Sequence, residues 1–394
     1  MPQQVDVKID NKYDENDLLV KFVSIRIGSG KYIPFLPSTN PYRIRNPTLN
    51  NLNEIPIENY IPITLDHLRD MDSDQKKQSA FITEKLYVNT GHPTFFIAKL
   101  LLKPKQEIGH KDVEYIVDLL KNSSNDLMIP PLVYYYHTTS ASERFPRGTN
   151  KPIDPIDTES YLAFLKSFIA VSKQRKIENF GLMFPSNFDY TATDKLLAVY
   201  KDCETKVAFI DGRGNKISQL EPQINKITSS GSKLYTLAEK NNEKFALYSF
   251  DSVPYSARKE IAPAQNVLEY LYGFSSFGPR HTVRINFPNK KPAPPPNPPR
   301  LYEDSEYGYV GYKSPDYNSQ VKKVEDWVDK HFKDTKAQDK VDTFKKDYEL
   351  TSIVSSINGL YVNIDDRKFW DSILKRPNLE SELKQIQNMN KKRP

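Results

Sequence analysis

The chain has 394 residues, 38% hydrophobic and 27% charged, with a formal net charge of +6 from 56 basic and 50 acidic side chains. Such a length buries a large core, as one large domain with an appendage or as two domains, and 24 Tyr with 20 Phe exclude a chain that is disordered overall. A single cysteine, Cys203, excludes an internal disulfide and a cysteine-based zinc site.

The mild positive charge permits a nucleic-acid partner, tRNA or DNA, without requiring one. The first residues, "MPQQVDVKIDNKYDEND", are polar and acidic, unlike a signal peptide. No apolar run approaches the ~20 residues of a membrane span. A cytoplasmic protein with no membrane partner is expected, and homo-oligomerisation stays open.

In chain order, residues 1–17 read as a peripheral extension. "LLVKFVSIRI" (Leu18–Ile27) alternates in its second half and predicts a strand, and "GSGKYIPFLPS" predicts a turn and a second extended piece. Residues 40–62, rich in Asn, Pro and Ile, read as irregular loop, and "ITLDHLRDMDSDQKKQSAFITEKL" as a helix. A rhythm then begins. "TFFIAKLLL" is a buried-type strand, and "KDVEYIVDLLKNS" is a helix with Val113, Ile116, Val117 and Leu120 on one face. "MIPPLVYYYH", "NFGLMFPS", "KVAFIDGRGN", "SKLYTLA" and "KFALYSFDS" predict further strands. Between them lie helical stretches, including "ESYLAFLKSFIAVSKQR" with Thr158 as its cap, "TATDKLLAVYKDC" and "ISQLEPQINKITSS".

Strands alternating with helices imply βαβ units and a parallel sheet. A TIM-like (β/α)8 barrel over residues 18–287 is the preferred α/β fold; a doubly wound open sheet is the alternative. No Gly-x-Gly-x-x-Gly follows the first strand, which disfavours dinucleotide binding. "PNKKPAPPPNPPR" (Pro288–Arg300), with seven Pro in thirteen residues, reads as a semi-rigid spacer that can also dock a partner. With the Tyr-rich stretch after it, it makes a strap over residues 288–318, and residues 319–394 form a helical C-terminal module.

In a barrel, function sits at the C-terminal ends of the strands. Those positions are Lys103, Tyr136, His137, Ser186, Asn187, Asp211, Arg213 and Asp251. Asp211 and Asp251 are the candidate catalytic pair, because, of two carboxylates at one mouth, one can act as nucleophile or base while the other hydrogen-bonds a substrate N–H or shifts its partner's pKa. An aspartate at a strand end also caps loops and helices, and that reading stays open. His137, Asn187, Arg213 and Arg258 are candidates for binding substrate. The six histidines show no ligand spacing, no Gly-x-Ser-x-Gly occurs, and neither a metal nor another cofactor is expected.

"SFDSVPYSAR" (Ser249–Arg258) resembles the segment around the nucleophilic aspartate of the tRNA-guanine transglycosylase family, with Phe250, Asp251, Ser252 and Arg258 at the matching positions. The resemblance implies a barrel enzyme in which Asp251 attacks a ribose C1′, a guanine leaves and a modified base returns. The family's zinc-binding cysteines are absent, since Cys203 stands alone. The leading expectation is therefore transglycosylase-like base exchange in a polynucleotide. Its rivals are a barrel enzyme using the same carboxylates on a small molecule, and a non-catalytic scaffold that binds a partner through the strap.

Overall fold

A computed structural model describes residues 5–27, 29–38, 55–86, 93–123, 127–136, 153–177, 179–201, 203, 207–213, 246–255, 260–279, 298–332 and 340–391. Strands β1 (Val5–Glu15) and β2 (Leu18–Ile27) form an antiparallel hairpin, and β3 (Ile33–Pro34) pairs with β2. Its two turn residues, Asn16 and Asp17, both have left-handed φ, 54° and 58°. That is the two-residue turn whose twist suits a hairpin, and Asn and Asp tolerate it best after glycine. Residues 5–15, read from sequence as part of an extension, are thus a paired strand.

β4 (Ile57–Thr64), β5 (Thr94–Leu102) and β6 (Leu132–Tyr136) run parallel, and β7 (Ile153–Pro155) adds antiparallel to β6. A second sheet holds β8 (Gly181–Phe184), β9 (Val207–Asp211), β10 (Ala246–Phe250) and, beyond β11 (Ile261–Pro263), β12 (Ser276–Phe277). Its order is β12-β10-β9-β8, parallel throughout. β11 joins β13 (Leu301–Glu303) and β14 (Gly308–Val310) in a small antiparallel sheet. The Tyr-rich end of the strap is therefore folded structure, while residues 280–297, with most of the Pro-rich run, lie outside the described residues.

The chain is a mixed α/β protein. Helices α1 (Leu65–Ser73) and α2 (Gln75–Phe81) follow β4. α3 (His110–Lys121) links β5 to β6, α4 (Thr158–Gln174) links β7 to β8, and α5 (Tyr190–Tyr200) links β8 to β9. The short α6 (Gln265–Leu268) precedes β12. α7 (Tyr317–His331), α8 (Lys340–Val362), α9 (Arg367–Leu374) and α10 (Glu380–Lys391) complete the chain. The α4 cap is Asp157, not Thr158: its Oδ1 accepts from the Ser160 N–H at 2.9 Å. Two stretches read as elements, "SKLYTLA" and "ISQLEPQINKITSS", lie outside the described residues.

β4 corrects the loop reading of residues 40–62. Pro62 and Asn59 disguised it, but β4 is the outer strand of its sheet, where a missing N–H breaks no ladder bond. The other expectation, a closed eight-stranded barrel, is not seen among the described residues: no ladder joins the two sheets. They are linked instead by the parallel bridge Met128–Phe180, on the chain leading into β6 and β8. The Ser38 N–H, on the chain after β3, donates to the Phe277 carbonyl at 2.8 Å and ties the hairpin to β12.

The two sheets nevertheless share one interior. Phe95 and Ile97 of β5, Leu132 and Tyr134 of β6, Met183 of β8, Phe209 of β9 and Tyr248 of β10 form one buried cluster. The Phe95 ring lies 5.5 Å from Phe209 and 5.8 Å from Tyr248. Val7, Val23 and Ile25 of the hairpin join it. The opposite faces of the strands pack on the helices, so both faces are covered and the strands read as apolar runs. The last helices belong to that outer core too. Trp370 of α9 stacks on Tyr13 at 4.1 Å, a contact worth about 0.5–1.5 kcal/mol beyond its buried area.

Candidate functional site

Asp211 is the last residue of β9, and Phe250, the last of β10, lies directly opposite it. The chain must then turn away from both strands at once. The Gly212 N–H donates to the Phe250 carbonyl at 2.8 Å. A Cβ on Gly212 would meet the Ser252 Cα at 2.8 Å and the Asp251 carbonyl oxygen at 3.0 Å. Glycine is therefore required where these two turns touch. Asp251 itself takes φ 54°, the left-handed region, and Arg213 takes 46°. Such conformations carry backbone strain and gather at functional sites. Both carboxylates are 2% exposed.

Around them stand groups that the sequence did not single out. Strand alternation puts Lys99 of β5 on the same inward face as Phe95, Ile97 and Leu101. Its Nζ lies 4.2 Å from the centre of the Tyr134 ring. Burial pulls the Lys99 ammonium down from its ordinary value, and the charges of Asp211 and Asp251 act the other way. The Tyr134 hydroxyl donates to Asp211 Oδ2 at 2.8 Å, and the Arg213 N–H donates to Oδ1 at 2.9 Å. The Arg213 guanidinium lies 5.5 Å from the Tyr134 ring, within cation–π range.

Burial, and after it the Asp251 charge, push the Asp211 acid up to about 6. Lys99, the Tyr134 hydroxyl and the Arg213 N–H oppose that rise. The Tyr60 phenol on β4 is held well above its usual range by burial, then by Asp251, Asp211 and Glu58. Five elements thus feed one charge cluster at the C-terminal side of the parallel strands.

Two further buried carboxylates border it. Glu58 of β4 accepts from the Tyr248 hydroxyl, which also pairs with the Ser38 hydroxyl. A Cβ at Gly278 would collide with Glu58 Oε2, so that glycine makes room for the carboxylate. Glu269 lies on the other side of β10, in the short helical turn after α6, fully buried, and accepts from the Ser249 hydroxyl. Burial pushes its acid up to about 8, against the hydroxyls of Ser249 and Ser252.

The sequence-selected residues divide as follows. Asp211, Asp251 and Arg213 are brought together. Asn187 is exposed on the turn after β8 and is not among the groups acting on Asp211. Lys103 pairs with Asp66 at 2.8 Å, at the surface. His137 and Arg258 lie outside the described residues. Lys99 was legible in principle, as one charge inside an otherwise apolar strand. Tyr60 and Glu58 were hidden with β4, and nothing in the sequence singled out Glu269. Among the described residues no group of three or more His, Cys, Asp or Glu could hold a metal ion, and no helix is long and apolar enough to cross a membrane.

No family model matches the chain, and no curated protein matches it. Among solved structures it is similar to 2,3-dimethylmalate lyase, a PEP mutase/isocitrate lyase superfamily member, at 9% identity with a TM-score of 0.32, over 84% of this chain and 93% of that one. A likeness of that depth fixes neither a fold nor an activity for this chain.

Proposed function

We propose that the chain is an enzyme of TIM-like barrel type, in which Asp251 and Asp211 act as a carboxylate pair on a small polar molecule. One observation carries this reading: two nearly inaccessible carboxylates at adjacent parallel strand ends, one of them shifted into the range where a proton can be given and taken near neutrality. Pairs of acids whose surroundings separate their proton affinities are how one site performs acid and base chemistry together. In this reading the Asp251 carboxylate attacks an electrophilic carbon and forms a bond to it. The bond to the leaving group breaks, and the proton on Asp211 goes to that group. Lys99 and Arg213 balance the negative charge, and Tyr134 orients Asp211.

The test is a thermal-shift screen of small polar metabolites, followed by mass spectrometry of the ligands that raise the melting temperature. Ligands that are converted by wild type and not by Asp251→Asn or Asp211→Asn support the reading. Conversion unchanged in both variants rejects it.

A second reading is base exchange in a polynucleotide. The feature that favours it is the placement of Phe250-Asp251-Ser252 at the end of a late parallel strand, where the transglycosylase resemblance needs its nucleophile. Labelled guanine offered with bulk RNA and with DNA tests it. Incorporation by wild type and not by Asp251→Asn supports exchange; no incorporation into either polymer removes it.

A further inference from the structure

The left-handed backbone of Asp251 has to be held from outside, because a strained conformation persists only where its surroundings over-determine it. The chain from α6 to β12 supplies much of that hold. The Gln265 N–H donates to the Pro254 carbonyl at 2.8 Å, and the Gly278 N–H donates to the Ser249 carbonyl at 2.7 Å. These two bonds fix the main chain on either side of Asp251.

Glu269 reaches between them from the same segment. Its Oε2 accepts from the Ser249 hydroxyl, and the Ser252 hydroxyl hydrogen-bonds the same carboxyl. All three side chains are buried. One carboxyl thus ties together the two hydroxyls that bracket Phe250 and Asp251. The Tyr270 phenol is the titratable neighbour, raised by burial first and by the Glu269 charge after it. A buried acid is costly where an apolar side chain would pack, and here both of the hydroxyls it engages flank the candidate nucleophile.

We propose that Glu269 is a positioning residue: by clamping the Ser249 and Ser252 hydroxyls it fixes the turn that sets Asp251 beside Asp211. The clamp stands by itself; only its service to catalysis rests on the carboxylate-pair reading.

Carbon-13 NMR of labelled aspartate, followed against pH, tests the clamp without any substrate. The Asp251 charge helps to raise the Asp211 acid to about 6, so a released turn lets that acid titrate at lower pH. Glu269→Ala and the double variant Ser249→Ala/Ser252→Ala are expected to show this fall. Glu269→Gln keeps an acceptor oxygen in the same place and is expected to titrate as wild type does. Loss of packing alone would lower the melting temperature of Glu269→Ala and leave the Asp211 titration where it was. The serine variant changes little volume, so it carries the test if Glu269→Ala does not fold. An unchanged Asp211 titration in the folded serine variant overturns the clamp, and so does an equal fall in Glu269→Gln. On the substrate found by the metabolite screen, kcat of the clamp variants is expected to fall about tenfold or more with KM within about twofold, because Asp251 is displaced and not removed. A fall in the Asp211 titration with kcat unchanged keeps the clamp and counts against the carboxylate pair instead.

Discussion

The two sides of β10 make an instructive pair. On one side the turn after the strand carries Asp251, whose charge acts on Asp211, Lys99 and Tyr60. On the other, Ser249 and Ser252 face Glu269. All three carboxylates are buried. The inner pair lies among mobile-proton groups and cations, whereas Glu269 meets hydroxyls. Burial alone raises a carboxyl until it stays neutral, which suits packing. Burial with opposing charges leaves it near the point of exchange, which suits chemistry. Electrostatic company, more than depth, separates a working acid from a structural one.

The largest effect should come from the inner side. Asp251→Asn keeps the size of the side chain, and asparagine tolerates the left-handed backbone. Turnover of the substrate found by the screen should fall roughly a thousandfold or more, about 4 kcal/mol of barrier, with little change in melting temperature. A loss below tenfold with intact folding would remove Asp251 from the chemistry and make it a loop cap.

The outer side should answer through stability and pH instead. The Glu269 acid sits at about 8 in the folded chain against 4.5 for an ordinary glutamate. Below about 4.5 it is protonated in both states and costs nothing. As pH rises toward 8 the unfolded chain releases the proton while the folded one retains it, so stability falls. The loss is on the order of 4 kcal/mol across that window. Glu269→Gln has no such proton. Urea unfolding from pH 5 to 8 should show the variant gaining on wild type as pH rises; parallel curves would show that Glu269 is ionised in the fold.

This contrast also marks how far the sequence could be read. Asp211 and Asp251 were visible because each ends an apolar run, and a parallel sheet sends such ends to one side. Arg213 followed from its place after Asp211. Lys99 was passed over because the strand-end rule looks beyond β5, to Lys103, whereas the useful lysine points inward from within the strand. Glu58 and Tyr60 were lost with β4, whose Pro62 imitates a loop. Nothing in "NVLEYLYGF" distinguishes a buried glutamate from an exposed one, because the partner that buries it, β10 with Ser249, is set by tertiary packing.

A smaller effect tests the support of the inner side. Gly278→Ala should push a methyl into Glu58 and the Tyr248 hydroxyl, which its Cβ would approach to 2.6 Å. Overpacking of this kind costs about 1–3 kcal/mol. A melting temperature equal to that of wild type would mean that Glu58 has room to move, and that the inner side is looser than its contacts suggest.

The smallest effect is the most diagnostic. Lys99 is one of three groups that hold the Asp211 acid down against burial and Asp251. Lys99→Met removes that charge and keeps an unbranched side chain of similar length against the Tyr134 ring. The Asp211 acid, at about 6 in wild type, should then titrate at higher pH, followed by carbon-13 NMR of labelled aspartate. The titration of Glu269 should not move, because Lys99 is not among its influences. If both carboxyls shift together, the change has altered burial across the strand, and the two sides of β10 are one environment. If Asp211 alone shifts, the inner site is tuned by its charges, which is the property that a working acid needs and a packing acid does not.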